Sequence, residues 1–508
     1  MVAKVFSAVP RGVEALRVQV EVDARPGLPA LAVVGLPDPA VREARERVLA
    51  AIRHLGCRID TKSIVVNLSP AEERKEGALL DLAIALGVLI ATGLVPACTP
   101  EAWLLGELSL DGALRPVRGV LPIVEAATQA GAAVILPAEN LPEAEVVRGA
   151  RLFAATSLEE VVLHLRGERP LTACAGGNGR IRPAEGADGE DLAEVAGQAH
   201  AKRALEIAAA GAHHILFLGP PGAGKTMLAR RLPGILPPLD EQEALATTKV
   251  YSVAPGVPRP HGLITRRPFR APHHTISAAG LAGGGALPRP GEISLAHNGV
   301  LFLDEITEFR RDVLEVLRQP MESGAVVISR AAGSLTYPAR FQLAAAANPC
   351  PCGHLGDPRR ECRCSPVEVR RYRARLSGPL LDRIDLQLEV PAVPYRELAR
   401  ADPGEASAAV RARVLAARVC QERRLAGTGR HTNAEMSPVE MRRWCAPDAE
   451  GARLLELAMS KLALSARAVH RILRVARTIA DLDGSADLAA RHIAEAIAYR
   501  TLDRVTSS

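Results

Sequence analysis

The chain has 508 residues, 48% of them hydrophobic and 24% charged, with a net charge of +6 that permits a polyanionic partner without requiring one. Its length predicts about two to four domains, and its longest apolar stretch, residues 82–96, is shorter than the roughly 20 residues that span a bilayer. Because the N-terminus lacks a signal peptide and nine cysteines suit a reducing compartment, we expect a cytoplasmic protein outside the membrane.

Residues 1–165 predict a mixed α/β domain. Strand-like runs such as LRVQVEV and SIVVNL alternate with helix-like segments at 38–54, 77–92 and 120–131. The following stretch, RGERPLTACAGGNGRIRPAEGADGED, is rich in glycine, proline and charge and has no apolar period. We therefore predict a linker at residues 166–189.

A phosphate-binding loop follows the apolar run ILFL. The sequence GPPGAGKT at 219–226 fits the GxxxxGK[ST] pattern and sits between a predicted strand and a predicted helix. Backbone N–H groups of such a loop surround phosphate, the lysine neutralises it, and the hydroxyl binds Mg²⁺. The sequence predicts ATP and Mg²⁺ at Gly219, Pro220, Pro221, Gly222, Ala223, Gly224, Lys225 and Thr226.

Two further strands end in polar residues. VLFL leads into Asp304 and Glu305, and FQLAAAA leads into Asn348. At the carboxyl end of a parallel strand, Asp304 would bind Mg²⁺, Glu305 would polarise the attacking water, and Asn348 would hold that water or the γ-phosphate. A strand that merely ends on two acids is the alternative.

Four cysteines lie close together in the sequence. Cys350, Cys352, Cys362 and Cys364 form a CxC–x9–CxC cluster, with His354 as a spare candidate ligand. Four thiolates can bind Zn²⁺ tetrahedrally, although CxC pairs are less typical of zinc sites than CxxC pairs. A metal-free loop of reduced cysteines remains the alternative.

The C-terminal part, from about residue 396, has a helical pattern and no predicted strand. Just before it, Arg383 lies between Asp382 and Asp385 in LSGPLLDRIDL, where an ordinary ion pair is an equally good interpretation. In the helix LALSARAVHRILRVARTIADL, the apolar residues share one face and three arginines share the other. These are Arg467, Arg471 and Arg474.

Taken in order, these elements resemble an AAA+ ATPase, and RPFRAPHHTISAAGLAGGGALPRPGEISLAHNGVLFLDE is similar to the magnesium-chelatase-like group. With VVGLPDPAVREARERV, VNLSPAEERKEGALLDLAIAL and GELSLDGALRPVRGVLP, the chain is identified as a member of the ComM/YifB family. The resemblance implies a Lon-protease-like domain at 1–165, a P-loop AAA+ core with a parallel sheet at 190–395, and a helical lid at 396–508. It also implies a homo-hexamer in which Arg383 is a finger for the neighbouring subunit and Arg467 is a lid sensor.

The Lon-like domain is expected to be inactive as a protease. In KEGALLDLA, Leu79 occupies the position of the nucleophilic serine of Lon, and LRPVRGVLPI contains no lysine. Without a hydroxyl and a base, the Ser–Lys mechanism has no nucleophile.

By the same resemblance, the chain is expected to drive branch migration on single-stranded or branched DNA, in homologous recombination and natural transformation, beside recombination proteins. Two insertions, at 264–292 and 325–343, would enter the pore of the ring. DNA contacts would come from Arg266, Arg267, Arg270 and Arg330, although solvated arginines on structural hairpins are an alternative. A magnesium-chelatase motor subunit and a protein-remodelling ATPase remain the competing functions.

Overall fold

The computed structural model of the chain describes residues 2–500 except 37, 60, 74, 76, 98–101, 178–189, 286–287, 331–332, 358–359, 394–403 and 463. No helix within that described part is long and apolar enough to cross a membrane. The predicted α/β class is confirmed: an eight-stranded and a five-stranded sheet, with three short hairpins, are followed by a helical C-terminal region.

An eight-stranded sheet organises the N-terminal part, in the order β10-β9-β8-β5-β1-β2-β4-β3. A short hairpin, β6–β7, stands beside it. In β2 the alternate residues Val18, Val20 and Val22 are buried, as expected for a sheet with one face on the core. The strands are β1 (Val2–Arg11), β2 (Glu14–Pro26), β3 (Ala30–Val34), β4 (Lys62–Ser69), β5 (Ala102–Leu104), β6 (Glu107–Leu108), β7 (Leu114–Arg115), β8 (Ala133–Pro137), β9 (Arg151–Ala155) and β10 (Ala173–Ala175).

Helices pack against this sheet. The helix α2 holds the long apolar stretch and is buried from Asp81 to Ile90, as its composition predicts. Leu79, the residue expected to replace a catalytic serine, is buried in the 3-10 turn just before this helix. The helices are α1 (Pro39–His54), α2 (Asp81–Ala91), α3 (Val120–Gln129), α4 (Leu141–Ala144) and α5 (Leu158–Leu165).

Part of the predicted linker forms a strand. Its residues Ala173–Ala175 form β10, which pairs antiparallel with β9 at the edge of the sheet. Composition alone missed this strand because three residues are too few to show a period. The rest of the predicted linker, from residue 178, lies outside the described residues.

The second sheet has five parallel strands in the order β12-β15-β18-β11-β19. All residues of β11, β15 and β18 are buried, as expected when helices cover both faces of a parallel sheet. The strands from here on are β11 (Ile215–Leu218), β12 (Phe269–Arg270), β13 (Gly283–Gly284), β14 (Arg289–Pro290), β15 (Val300–Leu303), β16 (Ala325–Arg330), β17 (Gly333–Pro338), β18 (Gln342–Ala347) and β19 (Leu386–Glu389).

Two antiparallel hairpins, β13–β14 and β16–β17, stand outside the five-stranded sheet and contact each other. A Cβ on Gly283 would lie 2.9 Å from Ile328 Cδ1, and the Tyr337 hydroxyl donates a 2.8 Å hydrogen bond to the Pro288 carbonyl. The hairpin predicted at 325–343 is therefore present, and it packs against the β13–β14 hairpin of the insertion at 264–292.

Helices flank the strands of this second part of the chain and make up the C-terminal region that was predicted to be a lid. The predicted boundary at residues 395 and 396 lies outside the described residues. The helices are α6 (Ala199–Gly211), α7 (Lys225–Ile235), α8 (Glu241–Val253), α9 (Ala278–Ala282), α10 (Glu292–Leu295), α11 (Arg311–Glu315), α12 (Pro320–Ser323), α13 (Pro366–Arg373), α14 (Gly378–Leu381), α15 (Ser407–Leu425), α16 (Pro438–Trp444), α17 (Ala449–Leu462), α18 (Ala466–Leu482) and α19 (Ala490–Ala498).

Candidate nucleotide site and cysteine cluster

The phosphate loop leaves the carboxyl end of β11 and enters α7. Gly222 and Gly224 have φ values of 76° and 88°, a region that glycine adopts without strain. Gly219 has no room for a side chain, because a Cβ there would lie 2.1 Å from the Val390 carbonyl oxygen. The glycines are therefore required by turn geometry and by the close approach of the chain beyond β19.

Lys225 begins α7 and is buried, with 8% of its surface exposed. Its Nζ donates to the carbonyls of Gly219 at 2.6 Å and Pro220 at 3.0 Å, and to Asn348 Oδ1 at 3.2 Å. Burial lowers the pKa of Lys225, and the carboxylates of Asp304 and Glu305 oppose that shift. The predicted lysine and the predicted sensor asparagine thus meet at one point.

The two predicted Mg²⁺ ligands also meet. Thr226 Oγ1 donates a 2.7 Å hydrogen bond to Asp304 Oδ2. Glu305 is exposed and has a φ of 49°, a left-handed conformation that is uncommon in a residue with a side chain and often found at functional sites. His274 Nδ1 lies 3.9 Å from Glu305 Oε2, a neighbour that sequence reasoning did not single out for this role.

Sheet register explains why these residues converge. Leu218 of β11 pairs with Ala347 of β18, and Leu303 of β15 pairs with Ala345 of the same strand. The residues that follow these three parallel strands therefore lie at one edge, where α/β proteins bind ligands.

Arg383 lies at the opposite edge. It precedes Leu386, and Leu386 pairs with Ile215 at the amino end of β11. The four residues of β11 rise about 13 Å, so at least that length of strand separates the arginine from its own phosphate loop. Arg383 is 8% exposed, donates to the Pro379 carbonyl at 2.5 Å and pairs with Glu322.

The lid arginines differ in their partners. Arg471 donates to Asp385 Oδ1 at 2.6 Å and to the Arg383 carbonyl at 3.0 Å, which ties α18 to the start of β19. Arg474 donates to the Met436 carbonyl. Arg467, in the first turn of α18, is exposed and makes no hydrogen bond or ion pair with the described residues. Of the three arginines predicted to share a solvated face of this helix, only Arg467 is therefore left without a partner among the described residues.

A buried polar cluster lies where helix α18 contacts the start of β19. Asp385 accepts a 3.1 Å hydrogen bond from the His214 amide and lies 3.6 Å from His213 Nδ1. Burial alone would raise the pKa of Asp385, but Arg471 and His213 outweigh burial and hold that pKa well below its ordinary value. Burial lowers the pKa of His214 to about 4. Sequence reasoning missed the cluster, although the paired histidines before β11 were a visible signal.

The four cysteines of the CxC–x9–CxC cluster come together, and their Sγ atoms all lie within 4.8 Å of one another. Cys350 Sγ is 3.4 Å from Cys352 Sγ and 3.6 Å from Cys362 Sγ, and Cys352 and Cys362 are 3.6 Å apart. These four thiols could hold a metal ion. His354 stands outside the group, with its Nδ1 3.5 Å from Asp357 Oδ2.

Two of the four predicted DNA-contact arginines are held inside the fold. Arg267 pairs with Glu243 at 2.8 Å and donates to the Pro237 carbonyl at 2.6 Å, while Arg270 makes a bidentate pair with Glu292 at 2.6 and 2.8 Å. Their partners are distant in sequence, so the pattern did not predict them. Arg266 is exposed, and Arg330 ends β16 with its side chain outside the described part.

A basic cleft of about 490 Å³ lies between the segment after Glu305 and helix α13. The arginine-rich run VEVRRYRARLSG supplies one of its walls, and RR at 310–311 supplies the other. The sequence displayed both runs but not that they face each other. The cleft is lined by Glu308, Phe309, Arg310, Arg311, Arg371, Ala374 and Arg375.

Three sequence profiles of the magnesium chelatase ChlI subunit match the chain. The profile described as magnesium chelatase, subunit ChlI, matches residues 191–398, that of subunit ChlI of Mg-chelatase matches 20–140, and that of the ChlI C-terminal region matches 404–500. Lon protease 2 of Bacillus subtilis is 32% identical over 119 residues, which are 23% of this chain and 21% of that protein.

Two relatives match along the full length. The competence protein ComM of Haemophilus influenzae is 46% identical over 507 residues, covering 99% of this chain and 98% of that protein. The YifB protein of Salmonella typhimurium is 44% identical over 509 residues, with the same coverage of both chains. With the phosphate loop, acidic strand and parallel sheet in place, this chain belongs to the ComM/YifB family of magnesium-chelatase-like AAA+ ATPases.

Proposed function

We propose that the chain is the ATP-hydrolysing subunit of a hexameric DNA motor, a branch-migration helicase that acts in homologous recombination and natural transformation. The observation that carries the proposal is the division of the hydrolysis machinery between two edges of one sheet. Lys225, Thr226, Asp304 and Asn348 share one edge, and Arg383 lies at the other. A motor of this kind needs several copies to complete its pockets.

The residues at the shared edge suit phosphoryl transfer. Lys225 would bind the β- and γ-phosphates of ATP, and Thr226 with Asp304 would hold Mg²⁺, which neutralises charge that develops on the phosphates. Glu305 would orient the attacking water and accept its proton, and Asn348 would hold that water in line. The Glu305 side chain is exposed, and its backbone N–H donates a 3.0 Å hydrogen bond to Asp304 Oδ1, which keeps the two acidic residues adjacent.

The arginines at the opposite edge would act on a neighbouring copy. Arg383 is too far from its own loop to reach a γ-phosphate there, and in the proposed ring the same edge would face the pocket of the next subunit. Arg467 is the arginine proposed as the sensor of the lid, since Arg471 and Arg474 are engaged within the chain. We propose a homo-hexamer, the assembly that the family resemblance implies.

DNA is the proposed polymer. Support comes from the two hairpins that pack together, with Arg330 at the end of β16, and from the basic cleft that contains Arg311 and Arg371. Because Arg267 and Arg270 are paired inside the fold, the phosphate contacts of the proposal fall mainly on Arg330 and on Arg311 and Arg371 of the cleft. The relative from Haemophilus influenzae carries the name competence protein, which suits a role with incoming DNA and with recombination proteins in the cytoplasm.

The test is the ATPase rate with and without forked or three-stranded DNA, followed by a strand-displacement assay. We expect stimulation by DNA and displacement that requires hydrolysis. Arg330→Ala should weaken DNA binding about tenfold while basal hydrolysis changes little, because one arginine contributes one or two phosphate contacts. Ser329→Ala on the same hairpin is the matched control. DNA affinity unchanged in Arg330→Ala would contradict the pore assignment.

A magnesium-chelatase motor subunit is the second candidate, favoured by the profile matches over 191–398 and 404–500. Such a motor would power metal insertion into a porphyrin. The full-length similarity to the ComM and YifB proteins ranks it second, although a ChlI profile also matches residues 20–140 of the N-terminal part. Hydrolysis stimulated by chelatase partners and indifferent to DNA would favour this candidate, and stimulation by a protein alone would favour a remodelling ATPase.

The cysteine cluster is proposed to bind Zn²⁺. Four thiolates form the donor set of a closed structural zinc site. Such a site has no open coordination position, so the metal would organise the loop and take no part in hydrolysis.

A further inference from the structure

We propose that the cysteine loop, the segment between β18 and α13, binds zinc and packs against the phosphate loop. Nucleotide affinity would then depend on the metal. The proposal rests on the ATPase and zinc assignments above and adds a mechanical link between the two sites. Its contact is the one between Gly353, inside the cysteine loop, and Pro221, inside the phosphate loop.

The spacing of the sulfur atoms is that of thiolates around one ion. With Zn–S bonds of about 2.3 Å, a regular tetrahedron places its sulfurs about 3.8 Å apart. The three short Sγ–Sγ distances are 3.4, 3.6 and 3.6 Å, whereas a disulfide needs about 2.05 Å. Three thiols at this spacing, with the Cys364 Sγ within 4.8 Å of each of them, fit one tetrahedral metal.

The cluster continues directly from the hydrolysis site. Asn348, which accepts a hydrogen bond from Lys225 Nζ, is two residues before Cys350. The carbonyl of Pro349, between them, accepts a 3.3 Å hydrogen bond from Arg373 Nε of α13. The first zinc ligand is therefore separated from the sensor side chain by a single residue, and Cys350 itself is fully buried.

The loop also touches the phosphate loop directly. Gly353 has a φ of 81°, and a Cβ there would lie 2.7 Å from Pro221 Cδ and 2.9 Å from Pro221 Cγ. A proline ring cannot rotate out of the way, because it is part of the backbone. Movement of Gly353 toward the loop must therefore displace Pro221, and withdrawal of Gly353 leaves Pro221 without support.

The cysteine loop has no regular secondary structure in its described part. Between Ala347, at the end of β18, and Pro366, at the start of α13, the described residues form no helix or strand. A bound metal closes such a segment and supplies folding free energy that the segment's few buried apolar groups do not. Loss of the metal should release Gly353, loosen Pro221 and shift Asn348.

The first experiment measures zinc and nucleotide binding on the full-length protein. We expect about one zinc per chain by elemental analysis, and ADP binding, followed with a fluorescent analogue in excess Mg²⁺, about tenfold weaker after zinc is removed. The double variant Cys362→Ser with Cys364→Ser should reproduce that loss without a chelator. Zinc well below one per chain, or zinc removal with unchanged ADP affinity, overturns the proposal.

A matched pair of glycine variants tests the contact itself. Gly353 and Gly356 have nearly equal φ values, 81° and 78°, so an alanine is equally strained at both, but a Cβ at Gly356 meets nothing within 4 Å. We expect both variants to keep zinc, and only Gly353→Ala to weaken ADP binding, by about tenfold. Equal ADP affinities in the two variants would overturn the link.

A variant of the phosphate loop separates this proposal from the ATPase assignment. Lys225→Ala should lose nucleotide and keep its zinc, because the lysine contacts Asn348 and loop carbonyls but no cysteine. Loss of zinc in Lys225→Ala would overturn the direction of the link. Failure of the proposed ATPase has a different signature, which is a zinc-loaded wild-type protein that binds no nucleotide.

Discussion

Replacing Arg383 with alanine should stop hydrolysis while leaving the subunit's own nucleotide site intact. The arginine precedes β19 at the amino edge of the five-stranded sheet, and the phosphate loop follows β11 at the carboxyl edge, about 13 Å away along the strand. An extended arginine side chain spans about 7 Å, so Arg383 cannot reach a γ-phosphate in its own pocket. Its effect on hydrolysis must therefore pass to a neighbour.

The magnitude follows from what an arginine finger supplies. Fingers contribute about 10³–10⁵ in kcat, which is about 4–7 kcal/mol of transition-state stabilisation. ADP affinity should change less than about threefold, because ADP lacks the γ-phosphate that the finger stabilises. Steady-state hydrolysis and titration with a fluorescent ADP analogue measure the two quantities separately.

A control is needed because Arg383 is also buried and paired with Glu322. Glu322→Gln removes the ion pair and leaves the guanidinium, so it should retain most of the ATPase if the finger role is correct. If Glu322→Gln is as inactive as Arg383→Ala, or if Arg383→Ala hydrolyses ATP at the wild-type rate, the reasoning from the two edges of the sheet is refuted.

Three further predictions concern single groups. Glu305→Gln should bind ATP and hydrolyse it about 10²–10⁴ times more slowly, and retention of unhydrolysed ATP on the protein measures this. Burial holds the pKa values of His214 and His297 at about 4, below the usual 6.5, so stability should fall as pH drops from 6.5 toward 4. At pH 5 the free energy of unfolding should fall by about 4 kcal/mol for the two imidazoles together. The His297→Gln variant, which keeps only His214, should lose about half as much in urea unfolding. Asp385→Asn should destabilise by about 3–5 kcal/mol in urea unfolding, and the nearby Asp382→Asn by less than about 0.5; equal effects would contradict the buried-pair assignment.

The residues of the candidate nucleotide site could be predicted from the sequence because each of their patterns is local. A buried apolar run followed by glycines or acids identifies a strand and the polar residues after it, and Ile215–Leu218 and Val300–Leu303 have the predicted bounds. That Lys225 meets Asn348 follows from parallel strands sharing a carboxyl edge. The order of the strands within the sheet could not be predicted in this way, because β18 lies between β11 and β15 although β15 precedes β18 in the chain.

The features that sequence reasoning missed depend on partners far apart in the chain. Arg270 looked available for DNA, but its carboxylate partner, Glu292, lies 22 residues further along the chain, in helix α10. The arginines of the basic cleft come from two segments about 60 residues apart, and only the fold brings them together. The contact of Gly353 with Pro221 joins two loops, for which neither periodicity nor composition gives any signal.

The most direct test of the central claim is the ATPase rate of a mixture of two inactive variants. Lys225→Ala has no working phosphate loop but keeps its finger, and Arg383→Ala keeps its loop but has no finger. In rings assembled at random from equal amounts, about a quarter of the interfaces pair an intact loop with an intact finger. We predict that mixing restores about that share of the wild-type rate. A mixture as inactive as its components would contradict the claim that neighbouring copies complete each other's ATP pockets.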